Sequence, residues 1–314
     1  ALLGAMFVGY LCALRRAVAA PDQQRVWRIT LGFAIAFRLL VIFSTPIQEL
    51  DYYRYLWDGY SLVAGVDPYR YSPQQVISTE PRVAPAGSGL RRLIELRESH
   101  PTAATVAARV HYGELSTIYP PVRQAVFALS VLSTPRTASV ETAVVILKAW
   151  IVLFDLGTLL VLKQLLHQVG RPLGWSLAYG WCPLMIKEFA NSGHLDAIAV
   201  FFTLLAVHGA VKCAFTEGGA AGKRGSVGSR ASLVCSAISL SLAVGAKLYP
   251  LVLLPVLSLT LLRKRGVRAA GTFVLAVTAL SAGLCAPMFV TGNARRHAED
   301  QSRQSAGESQ EHGS

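Results

Sequence analysis

Eight apolar stretches constrain this chain more than anything else in it: Ala1 to Leu14, Ile29 to Pro46, Tyr119 to Ser133, Ala143 to Leu166, Leu173 to Phe189, Ala197 to Val211, Ala231 to Leu262 and Ala269 to Val290. Crossing hydrocarbon takes ~20 apolar residues as a helix, and several of these stretches approach or exceed that. None alternates polar and apolar, and a lone strand in lipid would leave its backbone unpaired, so the expected fold class is all-α, a polytopic integral membrane helical bundle. Ala231 to Leu262 is too long for one span and is interrupted by Lys247 and Pro250, which predicts two helices joined by a tight reversal. The expectation is about eight transmembrane helices. The count includes the run from Ala1, which is short for a span and suggests a truncated start.

With 15% charged residues in 314, against about 25% in ordinary soluble domains, nuclease, kinase and secreted-module readings fall away. The net charge of +12 does not form one patch, which argues against nucleic acid as a partner. It sits in four short connections, Arg15 to Arg28, Lys163 to Arg171, Lys212 to Arg230 and Arg263 to Arg268, which together carry all of it. The long loop from Pro46 to Tyr119 has seven Arg against eight acids, and the tail after Thr291 has three against four. By the positive-inside tendency the loop and tail face away from the cytoplasm. This alternation needs an odd number of crossings between the long loop and Lys163, yet two apolar runs lie there. The shorter, Tyr119 to Ser133, begins with Pro120 and Pro121 and is expected to be re-entrant or juxtamembrane. Asp51, Asp58, Glu114, Lys187, Glu188, His194, Asp196 and Lys247 then all fall at the external boundary, where charges usually line a polar cavity.

Residues 1–291 read as the transmembrane domain, with 47–118 as an external loop, and 292–314 as a disordered polar tail. Leu90, Leu93, Ile94 and Leu96 interleave with arginines at near-helical spacing, which suggests a helix on the membrane surface or a solvated one. The five cysteines have no metal or redox spacing and read as small apolar residues.

The densest chemistry follows the second helix: Asp51-Tyr52-Tyr53-Arg54-Tyr55-Leu56-Trp57-Asp58-Gly59, then Asp67-Pro68-Tyr69. On a helix Asp51 and Asp58 lie two turns apart on one face. A carboxylate desolvated beside a membrane cavity can act as a general base toward a sugar hydroxyl, and aromatic rings can stack on sugar faces. An interfacial aromatic belt with solvated charges is the alternative on composition alone.

These residues resemble the first external loop of the GT-C glycosyltransferases that use polyprenyl-phosphate sugars, most closely the mannosyltransferase-type branch. Tyr53-Arg54-Tyr55-Leu56-Trp57-Asp58-Gly59 is similar to the family stretch and Asp67-Pro68-Tyr69 to its turn. Further likenesses follow in order: Ile118-Tyr119-Pro120-Pro121, Phe154-Asp155, Cys182-Pro183-Leu184, Gly193-His194-Leu195-Asp196 and Lys247-Leu248-Tyr249-Pro250. The asparagine usual before the proline at 183 is Cys182 here. The resemblance implies Asp51 as catalytic base with Asp58 in support. It also implies Arg54, His194, Asp196 and Lys247 at the donor phosphate, and Tyr53, Trp57, Tyr69 and Tyr119 lining the substrate.

The expected activity is transfer of a hexose, mannose above others, from a polyprenyl-phosphate donor to a lipid, glycan or protein acceptor. The enzyme would be a multi-pass protein of a cell inner membrane or ER-type membrane, acting on its non-cytoplasmic face. The competing class is a transporter or lipid-linked-sugar flippase, which usually shows internal repeats and helices broken near the midplane. Several residues also have plainer roles. His194 and Asp196 can cap a helix starting near Ala197, Lys247 can snorkel, and Asp155 can pair with Lys148 one heptad earlier. For Arg38, phosphate binding and pairing with Asp155 both stand open. No metal-ligand spacing and no glycine-rich phosphate loop is present, so no bound metal or cofactor is expected and the donor is expected to be lipid-linked.

Overall fold

The computed structural model describes residues 2–47, 50–215 and 222–311, without the side chains of 2–3, 6, 222–227 and 292–311. The described chain is helical, with no strand among those residues. It divides into two compact units, Ala1–Glu49 with Val144–Ser281, and Leu50–Ala143 with Ala282–Ser314. The polar tail expected past residue 291 lies outside the described side chains, and from 312 outside the described residues.

The first unit starts with α1 (Leu2–Ala19) and α2 (Gln23–Val41). Asp22 caps α2 by accepting the Arg25 N–H at 2.9 Å. The body of α8 (Val140–Gln168) follows in this unit, then a broken segment, then α11 (Asp196–Phe215), α12 (Gly222–Ala246), α13 (Leu253–Arg265) and the first part of α14 (Val267–Glu311). Ala206, Ala210, Leu240, Leu257, Leu261, Phe273 and Val277 form a core between the last four helices. Small residues let α11 and α12 approach closely, and Ser236 Oγ donates to the Ala206 carbonyl at 2.7 Å.

Four helices among the described residues are long and apolar enough to cross a membrane: Val140–Gln168, Asp196–Phe215, Gly228–Ala246 and Val267–Thr291. The expected tally of about eight also counted shorter or more charged segments. Among these, α2 carries Arg25, Arg28 and Arg38 in 19 residues and α13 has 13 residues. The reversal expected near Lys247 is present, since α12 stops at Ala246 and a 3₁₀ turn, Tyr249–Val252, leads into α13.

Leu173 to Phe189 departs from the single helix its apolarity suggested. It is a 3₁₀ turn (Leu173–Ser176), two helical fragments, α9 (Leu177–Gly180) and α10 (Pro183–Met185), and a π turn (Ile186–Asn191). Pro183 lacks an N–H, and the residue before it, Cys182, is extended at φ −61°, ψ 117°, so a helix cannot run through this point.

The intramembrane charges also pair differently from one expectation. Asp155 does not pair with Lys148. Arg38 grips it, Nε to Oδ2 at 2.5 Å and Nη2 to Oδ1 at 3.2 Å, while Tyr179 donates to Oδ1 at 2.7 Å. The remaining Arg38 donor reaches the Ala34 and Gly180 carbonyls. A planar guanidinium matches a carboxylate through two parallel bonds, which a lysine point charge cannot do. The Lys148 ammonium instead donates to the Ser44 carbonyl at 2.8 Å.

The second unit contains α3 (Tyr52–Val63), α4 (Pro73–Ser78), α5 (Gly89–Ser99), α6 (Pro101–Ala108) and α7 (Pro121–Leu132). The helix expected around Leu90 to Leu96 is α5, which buries Leu93 and Ile94. α7 has 12 residues and is about 18 Å long, well short of a bilayer, as the charge alternation requires of the Tyr119 to Ser133 run. α3 and α7 touch backbone to backbone at Gly59, where a Cβ would lie 2.5 Å from the Phe127 carbonyl oxygen.

Candidate active site

In the second unit Asp51 stands at the N-cap of α3 in a helical conformation, φ −64° and ψ −16°, and its side chain makes no capping bond. That leaves the carboxylate free to face another element. Tyr119 donates its hydroxyl to Asp51 Oδ2 at 2.9 Å. Pro120 is extended at ψ 159° and Pro121 opens α7, which fixes the chain at Tyr119. The Tyr119 ring then packs edge-on against Tyr55 and Phe127. Burial, and then the nearby Asp51 charge, push the Tyr119 phenol up, so it stays a proton donor at neutral pH. Tyr69 continues the chain of contacts, donating to the Tyr119 carbonyl at 2.7 Å. It is held by an Asx turn, Tyr69 N–H to Asp67 Oδ1 at 2.9 Å, whose other oxygen accepts from Thr291 at 2.8 Å.

Asp58 occupies a different environment on the same helix. It is 1% exposed. Gln124 Nε2 donates to its Oδ2 at 2.9 Å and Thr117 also bonds it. Burial pushes its carboxyl up to about 6, against the opposing pull of those two hydrogen bonds and of the Arg54 charge. The two carboxylates therefore differ in kind: Asp51 is half-buried beside a tyrosine hydroxyl, and Asp58 is sealed. Gln124 and Thr117 were not visible as partners in the sequence. Gln124 lies 66 residues from Asp58, and no local pattern marks it.

Other residues singled out from the sequence take supporting positions. Arg54 is buried and donates to the carbonyls of Leu115 at 2.9 Å, Tyr112 at 2.7 Å and His111 at 3.2 Å, closing the 111–115 loop. Tyr53 accepts from Arg109 at 3.0 Å and its ring meets Tyr52 at 4.4 Å between centroids. Trp57, 2% exposed, is a core side chain in this arrangement, without an open face for a sugar.

The first unit holds the other cluster. Lys247 Nζ lies 2.6 Å from Asp196 Oδ1 at the start of α11, and His194 Nδ1 accepts the Asp196 N–H at 3.4 Å. His194 thus caps the helix while Asp196 partners the lysine, and all three remain partly exposed. Gly193 makes the loop possible. Its φ is +68°, and a Cβ there would press on the Lys148 side chain at 3.2 Å. Among the described residues no three His, Cys, Asp or Glu side chains gather as a metal site.

The described residues thus hold four helices long and apolar enough to cross a membrane and a carboxylate–tyrosine pair at the head of a short helix. A family model described as alpha-(1->6)-mannopyranosyltransferase, N-terminal domain, matches residues 2–263. The chain belongs to that family and is a mannosyltransferase, acting between a sugar donor and an acceptor in a membrane setting. No curated protein and no solved structure matches it.

Proposed function

We propose that the protein transfers mannose from a polyprenyl-phosphate donor to an acceptor hydroxyl on the non-cytoplasmic face, with Asp51 as general base. The observation that supports this is the Asp51–Tyr119 contact, which presents a carboxylate oxygen beside a phenol that remains protonated. A family named for alpha-(1->6) linkage implies that the attacking group is a primary C6 hydroxyl, a poor nucleophile until its proton is removed. Direct attack inverts the anomeric centre, so an α product requires a β-linked donor. The Asp51 carboxylate takes the proton as the C6 oxygen bonds to the anomeric carbon, and the bond to the phosphate oxygen breaks. Lys247, His194 and Arg54 are the cations the resemblance assigns to the departing phosphate. Of these, the partly exposed Lys247 and His194 suit that role best, since the Arg54 guanidinium already serves three carbonyls. Asp58 supports α3 from within, and a glycan or glycolipid acceptor that presents a sugar C6 hydroxyl fits this reading.

The test uses purified protein with radiolabelled polyprenyl-phosphate mannose and mixed acceptors, reading mannosylated product and free polyprenyl phosphate together. Asp51→Asn keeps size and hydrogen bonding but removes the basic oxygen, and transfer should fall about 10²- to 10⁴-fold. Equal rates for wild type and Asp51→Asn at matched folded protein would reject the assignment.

A further inference from the structure

Within the first unit, the C-terminal ends of α8 and α11 enclose a cavity of about 680 Å³. Lys163 and His167 line it from α8, and His208 and Lys212 from α11, with Leu160 and Phe215 as apolar neighbours. No acidic side chain lines it among the described residues. The acids of these two helices stand elsewhere: Glu141 in the first turn of α8, Asp155 against Arg38, and Asp196 at the start of α11 beside Lys247. The Lys163 ammonium lies 5.0 Å over the Trp27 ring, and that of Lys264, from α13, lies 5.0 Å over the Phe215 ring. Three ammonium groups therefore gather around one opening. A helix C-terminus attracts cations, but that effect fades beyond the last turn. It accounts for His167 and Lys212, whereas Lys163 stands five residues before the end of α8 and His208 seven before the end of α11. A histidine placed for packing pairs its buried ring nitrogen. Nδ1 of His208 is buried without a partner among the described residues, which leaves Nε2 to meet a ligand.

We propose that this cavity binds the phosphate of an anionic membrane phospholipid, with Lys163 and Lys212 as charge partners and His208 as a hydrogen-bond donor. Phosphate oxygens accept strong charge-assisted bonds from ammonium groups, and basic pockets between spanning helices suit lipid headgroups. The cavity has the size of an ordinary small-molecule pocket. Its apolar neighbours favour a lipid over free phosphate. Leu160 and Phe215 are exposed on helices long and apolar enough to span a membrane, so acyl chains can lie along them while the headgroup enters. The site is separate from the Lys247 cluster, because sixteen residues of α11 divide Lys212 from Asp196, a rise of about 24 Å. Lys163 and Lys212 also open two of the basic connections that the charge count assigns to the cytoplasmic side, so the occupant belongs to that leaflet.

The experiment titrates the purified full chain, in neutral detergent, with phosphatidylglycerol or with phosphatidylcholine of the same acyl chains. Retained lipid is read by native mass spectrometry and the unfolding midpoint by a thermal scan. Phosphatidylglycerol should bind at least about tenfold more tightly than phosphatidylcholine and raise the midpoint, while inorganic phosphate at the same concentration leaves the midpoint unchanged. Lys163→Gln and Lys212→Gln should each weaken phosphatidylglycerol binding about fivefold, and together about 25-fold. Arg15→Gln with Arg16→Gln removes the same charge from exposed positions of α1 outside the cavity and should change affinity by less than about twofold. Equal retention of the two lipids, wild-type affinity in the lysine pair, or an equal loss in the arginine pair would overturn the proposal. A midpoint shift from inorganic phosphate matching that from the lipid would also overturn it, in favour of a free-phosphate site. If variants at Lys163 fail to fold, unchanged affinity in Lys212→Gln, at an exposed position, refutes the assignment alone.

Discussion

Asp58→Asn should stabilise the protein, and by an amount that depends on pH. The carboxyl is raised from 3.8 to about 6 because burial disfavours its charged form. At about 1.4 kcal/mol per tenfold change in proton affinity, holding this group ionised costs about 3 kcal/mol. The unfolded chain releases the proton near 3.8 and the folded one near 6, so between those values the native state binds the extra proton. Stability from this group is therefore complete below 3.8, declines as pH rises, and is lost once pH passes about 6. An amide keeps an oxygen for Gln124 and carries no charge, so the variant escapes the penalty. Allowing for imperfect replacement of the carboxylate's bonds, a gain of about 1–3 kcal/mol is expected near pH 8, shrinking toward zero near pH 4. Thermal unfolding in detergent, followed by tryptophan fluorescence across that range, should show the midpoint rising by several degrees at the alkaline end only. A destabilisation that grows with pH would refute the reasoning, because it would mean that the fold needs the Asp58 charge.

Lys247→Ala should raise the apparent KM for donor about 10- to 100-fold through loss of the proposed charged hydrogen bond to the lipid phosphate, with kcat less affected; unchanged donor saturation would leave Lys247 its contacts with Asp196 and the Tyr249 ring. In a cysteine-free background, cysteines at Ser88 and Ser309 should react with a membrane-impermeant maleimide while one at Ser226 is spared, and the opposite pattern would reverse the proposed orientation. Gly59→Ala forces a methyl to within 2.5 Å of the Phe127 carbonyl oxygen, so α3 and α7 must separate; a loss of about 1–3 kcal/mol is expected, and a variant unfolding at the wild-type temperature would disprove the close approach.

Features set by local chain chemistry were legible in the sequence. The length of the apolar runs announced a helical membrane protein, and Lys247 with Pro250 announced the reversal between α12 and α13. The charge count singled out Tyr119 to Ser133 as a run that stops short. Pairings across the fold were not legible, because nothing local encodes them. Gln124 meets Asp58 only once α7 lies against α3, and Arg38 meets Asp155 across 117 residues. Lys148, spaced one heptad from Asp155 on the same helix face, looked like its natural partner and reaches Ser44 instead. Trp57 illustrates the same limit at the candidate site. A motif gives the residue type, while burial against neighbours decides whether the ring faces a ligand or the core.

The transporter reading drew its weight from charges placed inside apolar segments, and the structure accounts for the most deeply placed of them without a pathway. A charge that serves a moving ion or headgroup must be reachable and incompletely compensated. Arg38 and Asp155 are 1% and 0% exposed, face each other through two bonds, and are completed by the Tyr179 hydroxyl and two backbone carbonyls. Removing either partner would strand the other charge in an apolar surrounding, which makes the pair a structural lock between α2 and α8. The partly exposed charges of the two clusters are different in kind: Asp51 beside a phenol in one unit, and Lys247 with Asp196 and His194 in the other. The chain belongs to a mannosyltransferase family, and the roles proposed for these two groups, proton removal and phosphate departure, call for a half-buried carboxylate and a partly exposed ammonium respectively.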